Sequence, residues 1–259
     1  MNIIRQAIVR RTSSKLTENT KTEDTSTPTQ VTESSIAMDL LLPLRVLVTP
    51  IRTFTQLAQR PAAKGLATLA ALILIILAAA QYATATKIFL TINDQPTGFI
   101  ATDSFANWFT STLTSTSFFI LVYWLITAAS MALVSRFFGG KQVKLRSSLV
   151  ILAYLLSVFM VLYAVRTITY LALPPITFAT GSWPPVDEAA TNSALDLIHQ
   201  NWGSLLVYQF GSYFTFVALV WLVFLGAIAV KAMREISWTK ASLVSVTGFM
   251  IAVLLFGLP

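Results

Sequence analysis

Few residues in this chain could carry chemistry. Arg166, in "VLYAVRTITYLA", is the only formal charge inside a long apolar run. A guanidinium at mid-bilayer would mark a pathway or a switch, whereas one near the end of a span can snorkel to the interface and act as an anchor. Tyr163 and Tyr170 flank it. Asp187, Glu188 and Asp196 follow in the next loop, where they could pair with it, hold a metal or keep the loop soluble. His199 is the sole histidine and there is no cysteine. Disulfides, iron–sulfur clusters and thiolate zinc sites are thereby excluded, and no basis is left for a His-rich metal site or a conventional catalytic triad. The apolar runs hold no carboxylate, so the paired titratable groups that acid–base catalysis needs are missing from them. Gly139 and Gly140 lack the lysine–hydroxyl arrangement of a phosphate-binding loop and read as a helix C-terminal turn. The expectation is a non-enzymatic protein without cofactor or metal.

The surrounding chain explains why chemistry is sparse. Of 259 residues, 55% are hydrophobic and 11% charged, and the mean hydropathy is +0.71. A soluble domain needs far more charge to cover its surface. The apolar residues are gathered into runs over approximately 65–86, 113–135, 147–172, 204–230 and 241–258. Each can supply the roughly 20 residues that cross about 30 Å of hydrocarbon as a helix. Helices satisfy their own backbone in lipid, so the sequence predicts an all-α integral membrane protein with a five-helix transmembrane bundle over 65–259. The last run is the shortest, and a hairpin or interfacial helix is its alternative.

The loops give this bundle a direction. Arg52, Arg60 and Lys64 precede the first run; Arg136, Lys141, Lys144 and Arg146 separate the second from the third; Lys231, Arg234 and Lys240 separate the fourth from the fifth. The other two connections carry Lys87 with Asp94 and Asp103, then Asp187, Glu188 and Asp196. Five spans place the basic loops on one side, and removing any span scrambles the pattern. By the positive-inside bias the N-terminus is cytoplasmic and the C-terminus lies opposite. The net charge of +7 then anchors topology and faces anionic headgroups, with no nucleic-acid partner required. Trp108, Trp183 and Trp202 fit an outer aromatic belt and Trp238 an inner one.

Residues 1–35 form a polar tail; 12–35 are rich in Thr, Ser and Glu and read as disordered. The first eleven, "MNIIRQAIVRR", read as plain tail, membrane-surface stub or targeting presequence. Over 36–64 the pattern becomes that of an interfacial amphipathic segment. After Pro50, helical spacing puts Ile51, Phe54, Leu57 and Ala58 on one face, with Arg52, Gln56, Gln59 and Arg60 around the remainder. Proline suits the first helical turn, and Pro61 ends the helix. Such a helix lies along the cytoplasmic leaflet or packs under the bundle.

Pro50, Phe54, Leu57 and Pro61 at this spacing resemble the entrance pattern of the Yip1 domain family of multi-span membrane proteins. "FFGGKQVKLRSSLVILAY", with Gly139 and Gly140, is similar to the family's glycine-containing basic loop. Trp221, followed by a basic turn and the pair Lys240–Ala241, is similar to its late tryptophan and Lys/Arg–Ala pair. The resemblance covers about 40–259 and implies a five-span fold. The third span departs from the family at Ala153–Tyr154, which no proline follows before Pro174. The Asp-Leu-Tyr-Gly-Pro signature of eukaryotic trafficking members is absent, so their work with Rab GTPases is not carried over.

The resulting expectation is a scaffold or accessory protein. It contacts membrane lipids, and a membrane-protein partner or a second copy of itself, through Pro50, Ile51, Arg52, Phe54, Leu57, Arg60 and Pro61 and through the basic loops. The alternatives are a small transporter or permease component, with Arg166 and Gln209 on a polar path, and an accessory subunit of a larger energy-converting membrane complex. The small residues "TAAS" at 127–130 and Gly226, Ala227 and Ala229 let helices approach closely, for packing within the chain or for seating a partner.

Overall fold

A computed structural model describes residues 41–179 and 182–256. The polar tail, the first eleven residues and the last positions of the fifth run lie outside the described residues. Two short helices open the described chain, α1 (Leu42–Val48) and α2 (Pro50–Gln59). Then come α3 (Lys64–Ala85), a hairpin of β1 (Ile88–Ile92) and β2 (Gln95–Gly98), and α4 (Ser104–Phe137). The second half comprises α5 (Leu145–Ala153), α6 (Ser157–Ala172), β3 (Ile176–Ala179), α7 (Glu188–Trp202), α8 (Leu206–Arg234) and α9 (Trp238–Phe256).

Five helical stretches are long and apolar enough to cross a membrane: α3, α4, α5 continued by α6, α8 and α9. Their apolar residues divide between two environments. Leu69, Ile73, Leu77, Tyr123, Met131, Leu152, Leu225 and Val244 fill a shared core, while Ile75, Phe118, Leu133, Phe216 and Leu254 stay exposed on the outside of the bundle. Exposed apolar residues at such density suit a hydrocarbon surround, where helix association relies on close packing. Gly226 of α8 and Gly248 of α9 make that packing specific. A Cβ on Gly226 would collide with Ser245 Oγ and crowd the end of the Met131 side chain, and one on Gly248 would press into Met131 nearer its backbone. Buried Thr127 and Ala128 of α4 and Ala229 of α8 belong to the chain's own interior. The small-residue faces therefore serve intramolecular packing.

The third span is not one smooth helix. A tighter turn at Tyr154–Leu156 joins α5 to α6 without any proline. Side chains secure it: Trp124 Nε1 donates to Leu152 O at 3.1 Å, Ser157 Oγ to Tyr154 O at 2.6 Å, and the Tyr154 hydroxyl to Ala62 O at 2.6 Å.

The all-α expectation is corrected at one end of the bundle. β1 pairs antiparallel with β2 and parallel with β3, giving the order β2-β1-β3. Asn93 and Asp94, at φ 51° and 61°, make the two-residue turn of the hairpin, a conformation that Asn and Asp tolerate better than other side chains. Ile88, Leu90, Ile176 and Phe178 point to one face and pack with Phe99, Ala194 and Trp202 into a second core, separate from that of the bundle. α7 forms the cover over this core, and its first turn is capped by Asp187, whose Oδ1 accepts from Ala190 N at 2.7 Å. Trp202 belongs to this core and Trp183 packs against it: Trp202 is 2% exposed, with Nε1 donating to Pro174 O at 2.9 Å. Trp183 lies 5.0 Å from the Phe178 ring. α4 extends toward this core, starting at Ser104 and not near 113. Its 34 residues run about 51 Å, well beyond a hydrocarbon layer of about 30 Å.

The segment before the first span also differs from a single helix lying in a leaflet. α1 and α2 are separated by Thr49, and α2 packs on α8. Phe54 and Leu57 are 0% and 1% exposed, so the apolar face is turned into protein, whereas Ile51 is 58% exposed. Of the two readings left open by the sequence, packing under the bundle describes Phe54 and Leu57.

Candidate functional site

The two ends of the bundle carry different polar groups, conveniently called the basic end and the sheet end. At the basic end α8 stops at Arg234, and Glu235 takes the left-handed conformation, φ 57°. Sequence reasoning placed Arg234 among the outward-facing basic residues. The structure corrects this, because Arg234 is 4% exposed. Its Nε donates to Ser135 Oγ at 3.0 Å, Nη1 to Lys141 O at 3.1 Å and Nη2 to Ala132 O at 3.3 Å. These acceptors lie in the last turns of α4 and in the loop that follows it. A cation suits the negative end of that helix dipole. In return, Lys141 N donates to Arg234 O at 2.9 Å, and Lys141 Nζ meets Glu235 Oε1 at 2.9 Å.

This clasp explains the double glycine. Gly139 and Gly140 both have positive φ, 74° and 87°. Open space surrounds a Cβ at Gly139, but one at Gly140 would strike the Arg234 carbonyl oxygen and the Ile236 side chain. Gly140 is thus the point where the α4–α5 loop lies directly on the α8–α9 turn. Lys240 reaches the same loop, Nζ to Phe138 O at 3.5 Å, and Lys231 stacks on Trp238, 5.1 Å from the ring centroid.

The remaining cations of this end are free to face outward: Arg52, Arg60, Arg136, Lys144 and Arg146 are exposed. Pro50 starts α2, and Pro61 follows Arg60, where the chain has left helical geometry. Two concavities open among these groups. One, about 460 Å³, is bordered by Arg136, Gly139, Gly140, Gln142 and Arg234. The other, about 510 Å³, runs between α1 and α2, where exposed Leu44 and Val48 adjoin Arg45, Arg52 and Gln56.

Arg166 lies toward the sheet end of α6. It pairs with none of Asp187, Glu188 and Asp196, which are exposed; the one ion pair among the described residues is Lys141–Glu235 at the opposite end. Its Nη2 donates to Thr215 Oγ1 at 3.4 Å, and its guanidinium carbon is 5.3 Å from the centre of the Tyr163 ring. Around it is a cavity of about 250 Å³, lined also by Thr169, Tyr170, Tyr208, Gly211 and Ser212. Gln209 does not line it; its Nε2 donates to Gly203 O at 3.1 Å. No group of three or more His, Asp or Glu side chains suited to a metal occurs among the described residues.

Five spanning helices, a small sheet at one end and a hydrogen-bonded basic end define a polytopic α-helical membrane protein. The model of the Yip1 domain matches residues 44–258, and the chain belongs to that family. No curated protein and no solved structure matches it. The family pattern has a direct structural meaning here. Phe54 and Leu57 dock α2 on the bundle, Gly140 admits the clasp, and Ala241, fully buried, seats the start of α9.

Proposed function

We propose that this chain is a non-enzymatic scaffold or accessory protein that uses its basic end to hold a membrane-protein partner against anionic lipid headgroups. The observation that carries the reading is the division of labour among the cations. Arg234 is buried to fix two loops to each other, while Arg52, Arg60, Arg136, Lys144 and Arg146 stand exposed on the surface those loops shape. A cation whose donors are committed to Ser135 Oγ, Lys141 O and Ala132 O shapes the surface around it. The positive-inside bias supports a cytoplasmic basic end, with the N-terminus on that side and the C-terminus opposite. Leu44, Val48 and Ile51 beside Arg45 and Arg52 offer the mixture of apolar and cationic groups that suits the headgroup–acyl boundary or a partner helix. The transporter alternative loses its second residue, since Gln209 is bound at the start of α8 and not in the Arg166 cavity.

The test is recovery of partners from native membranes after in-membrane crosslinking and mild-detergent purification. The wild-type chain is expected to bring down a reproducible stoichiometric partner. A variant carrying Arg52→Gln, Arg60→Gln and Ile51→Ser should lose it while still purifying as a folded protein. Recovery of the chain alone, despite efficient crosslinking, contradicts the reading.

A further inference from the structure

Beyond the basic end, we infer that the cavity around Arg166 is a binding site for the phosphate headgroup of an acidic phospholipid in the leaflet facing the sheet end. Depth supports this first. Arg166 lies about 32 Å along the third span from Leu145, and Thr215 lies about 29 Å along α8 from Arg234, at about 1.5 Å per residue. Both paths cover one hydrocarbon thickness of about 30 Å. With the basic end at one boundary, the guanidinium stands at the other, at the level of headgroups.

Charge points the same way. No carboxylate pairs with Arg166 among the described residues; its polar partner is a neutral hydroxyl at 3.4 Å. Thr169, Tyr170, Tyr208, Ser212 and Thr215 line the same cavity; the hydroxyls of Ser212 and Thr215 donate to Tyr208 O and Gly211 O of their own helix, so Thr169 and the two tyrosines are the hydroxyl donors left to a ligand. A planar guanidinium beside the hydroxyl-bearing Thr169, Tyr170 and Tyr208 matches the several acceptor oxygens of a phosphate. At about 250 Å³ the space falls below the roughly 300–1,000 Å³ of pockets that enclose whole drug-sized ligands, so it takes a headgroup and leaves the chains outside.

The surface beside the mouth then selects the source of the phosphate. Ser212 is both lining and exposed. From it, Phe216, Val220 and Phe224 recur at four-residue intervals toward the basic end, and all three are exposed. Side chains four apart share a helix face, so an apolar track leads from the polar cavity into the hydrocarbon. That continuity favours a lipid over a free anion.

The experiment uses full-length protein in nanodiscs of phosphatidylcholine with a minor share of phosphatidylglycerol, extracted into mild detergent for native mass spectrometry. The wild type is expected to retain phosphatidylglycerol in preference to phosphatidylcholine, and inorganic phosphate should not displace it. Arg166→Gln should lower that retention about tenfold, as loss of a charge-assisted hydrogen bond implies, and Arg166→Lys should restore part of it. Tyr170→Phe combined with Tyr208→Phe gives an independent reading should Arg166→Gln fail to fold. Equal phosphatidylglycerol retention by wild type and either folded variant overturns the site, and displacement by inorganic phosphate overturns the lipid as its occupant. Arg166→Gln, at the opposite end of the bundle, should leave recovery of a partner at the basic end unchanged, so the two proposals fail separately.

Discussion

Arg234 and Gly140 show how much of this protein depends on single residues joining distant parts of the chain. Arg234 closes contacts to Ser135 and Ala132 of α4 and to Lys141. Replacement by Met keeps much of the bulk, removes all three hydrogen bonds and leaves Lys141 O without its side-chain donor. The expected loss is about 2 kcal/mol of stability, read by thermal unfolding in detergent. Gly140→Ala adds a collision with backbone to an unfavourable φ and should cost about 3 kcal/mol, whereas Gly139→Ala meets open space and should cost only about 1 kcal/mol. Equal effects at the two glycines would contradict the clasp. None of this was legible in the sequence at Arg234. Its neighbours are those of any basic residue at the end of a span, and its burial depends on groups about a hundred positions away. Gly139–Gly140 was legible as a helix end, but which glycine the packing requires was not.

At the scale of elements, the spans were plain because an uncharged apolar run of about 20 residues has the length and the character of a bilayer crossing. α2 was plain too, from Pro50 and the helical spacing of Phe54 and Leu57, yet periodicity alone does not say whether an apolar face meets lipid or protein. Phe54 fills a fully buried position against the bundle, so Phe54→Ala should cost about 3–5 kcal/mol and loosen α2. The absence of cysteine makes the packing directly measurable: in membranes, Ile51→Cys should react rapidly with a water-soluble maleimide and Leu57→Cys slowly. Similar rates would place α2 off the bundle. The sheet was missed because its pairing is long-range. β1 and β3 are each five residues or fewer, and two complete spans lie between them. The available signal is local, "IFLTI" followed by the Asn93–Asp94 turn, and it is weak because a short connection between spans needs no structure of its own.

At the scale of the molecule, the two ends are different devices on one bundle. The sheet end has its own core of Phe99, Phe178, Trp183 and Trp202, which stiffens the connections among α3, α4, α6 and α8. The basic end has hydrogen bonds and one exposed ion pair in place of a second sheet. The proposed orientation rests on charge and is checked with single cysteines: Lys144→Cys should be labelled from the cytoplasmic side and Asp187→Cys from the other. Docking of a partner at the basic end is what most needs checking. A photoactivatable residue is placed at Arg52 in one sample and at Asp196 in another, irradiated in native membranes and followed by mass spectrometry. A docking surface at the basic end gives one reproducible protein adduct from Arg52 that Asp196 does not give. Lipid or self adducts alone from Arg52, with a distinct protein adduct from Asp196, would contradict it and move the working surface to the sheet end.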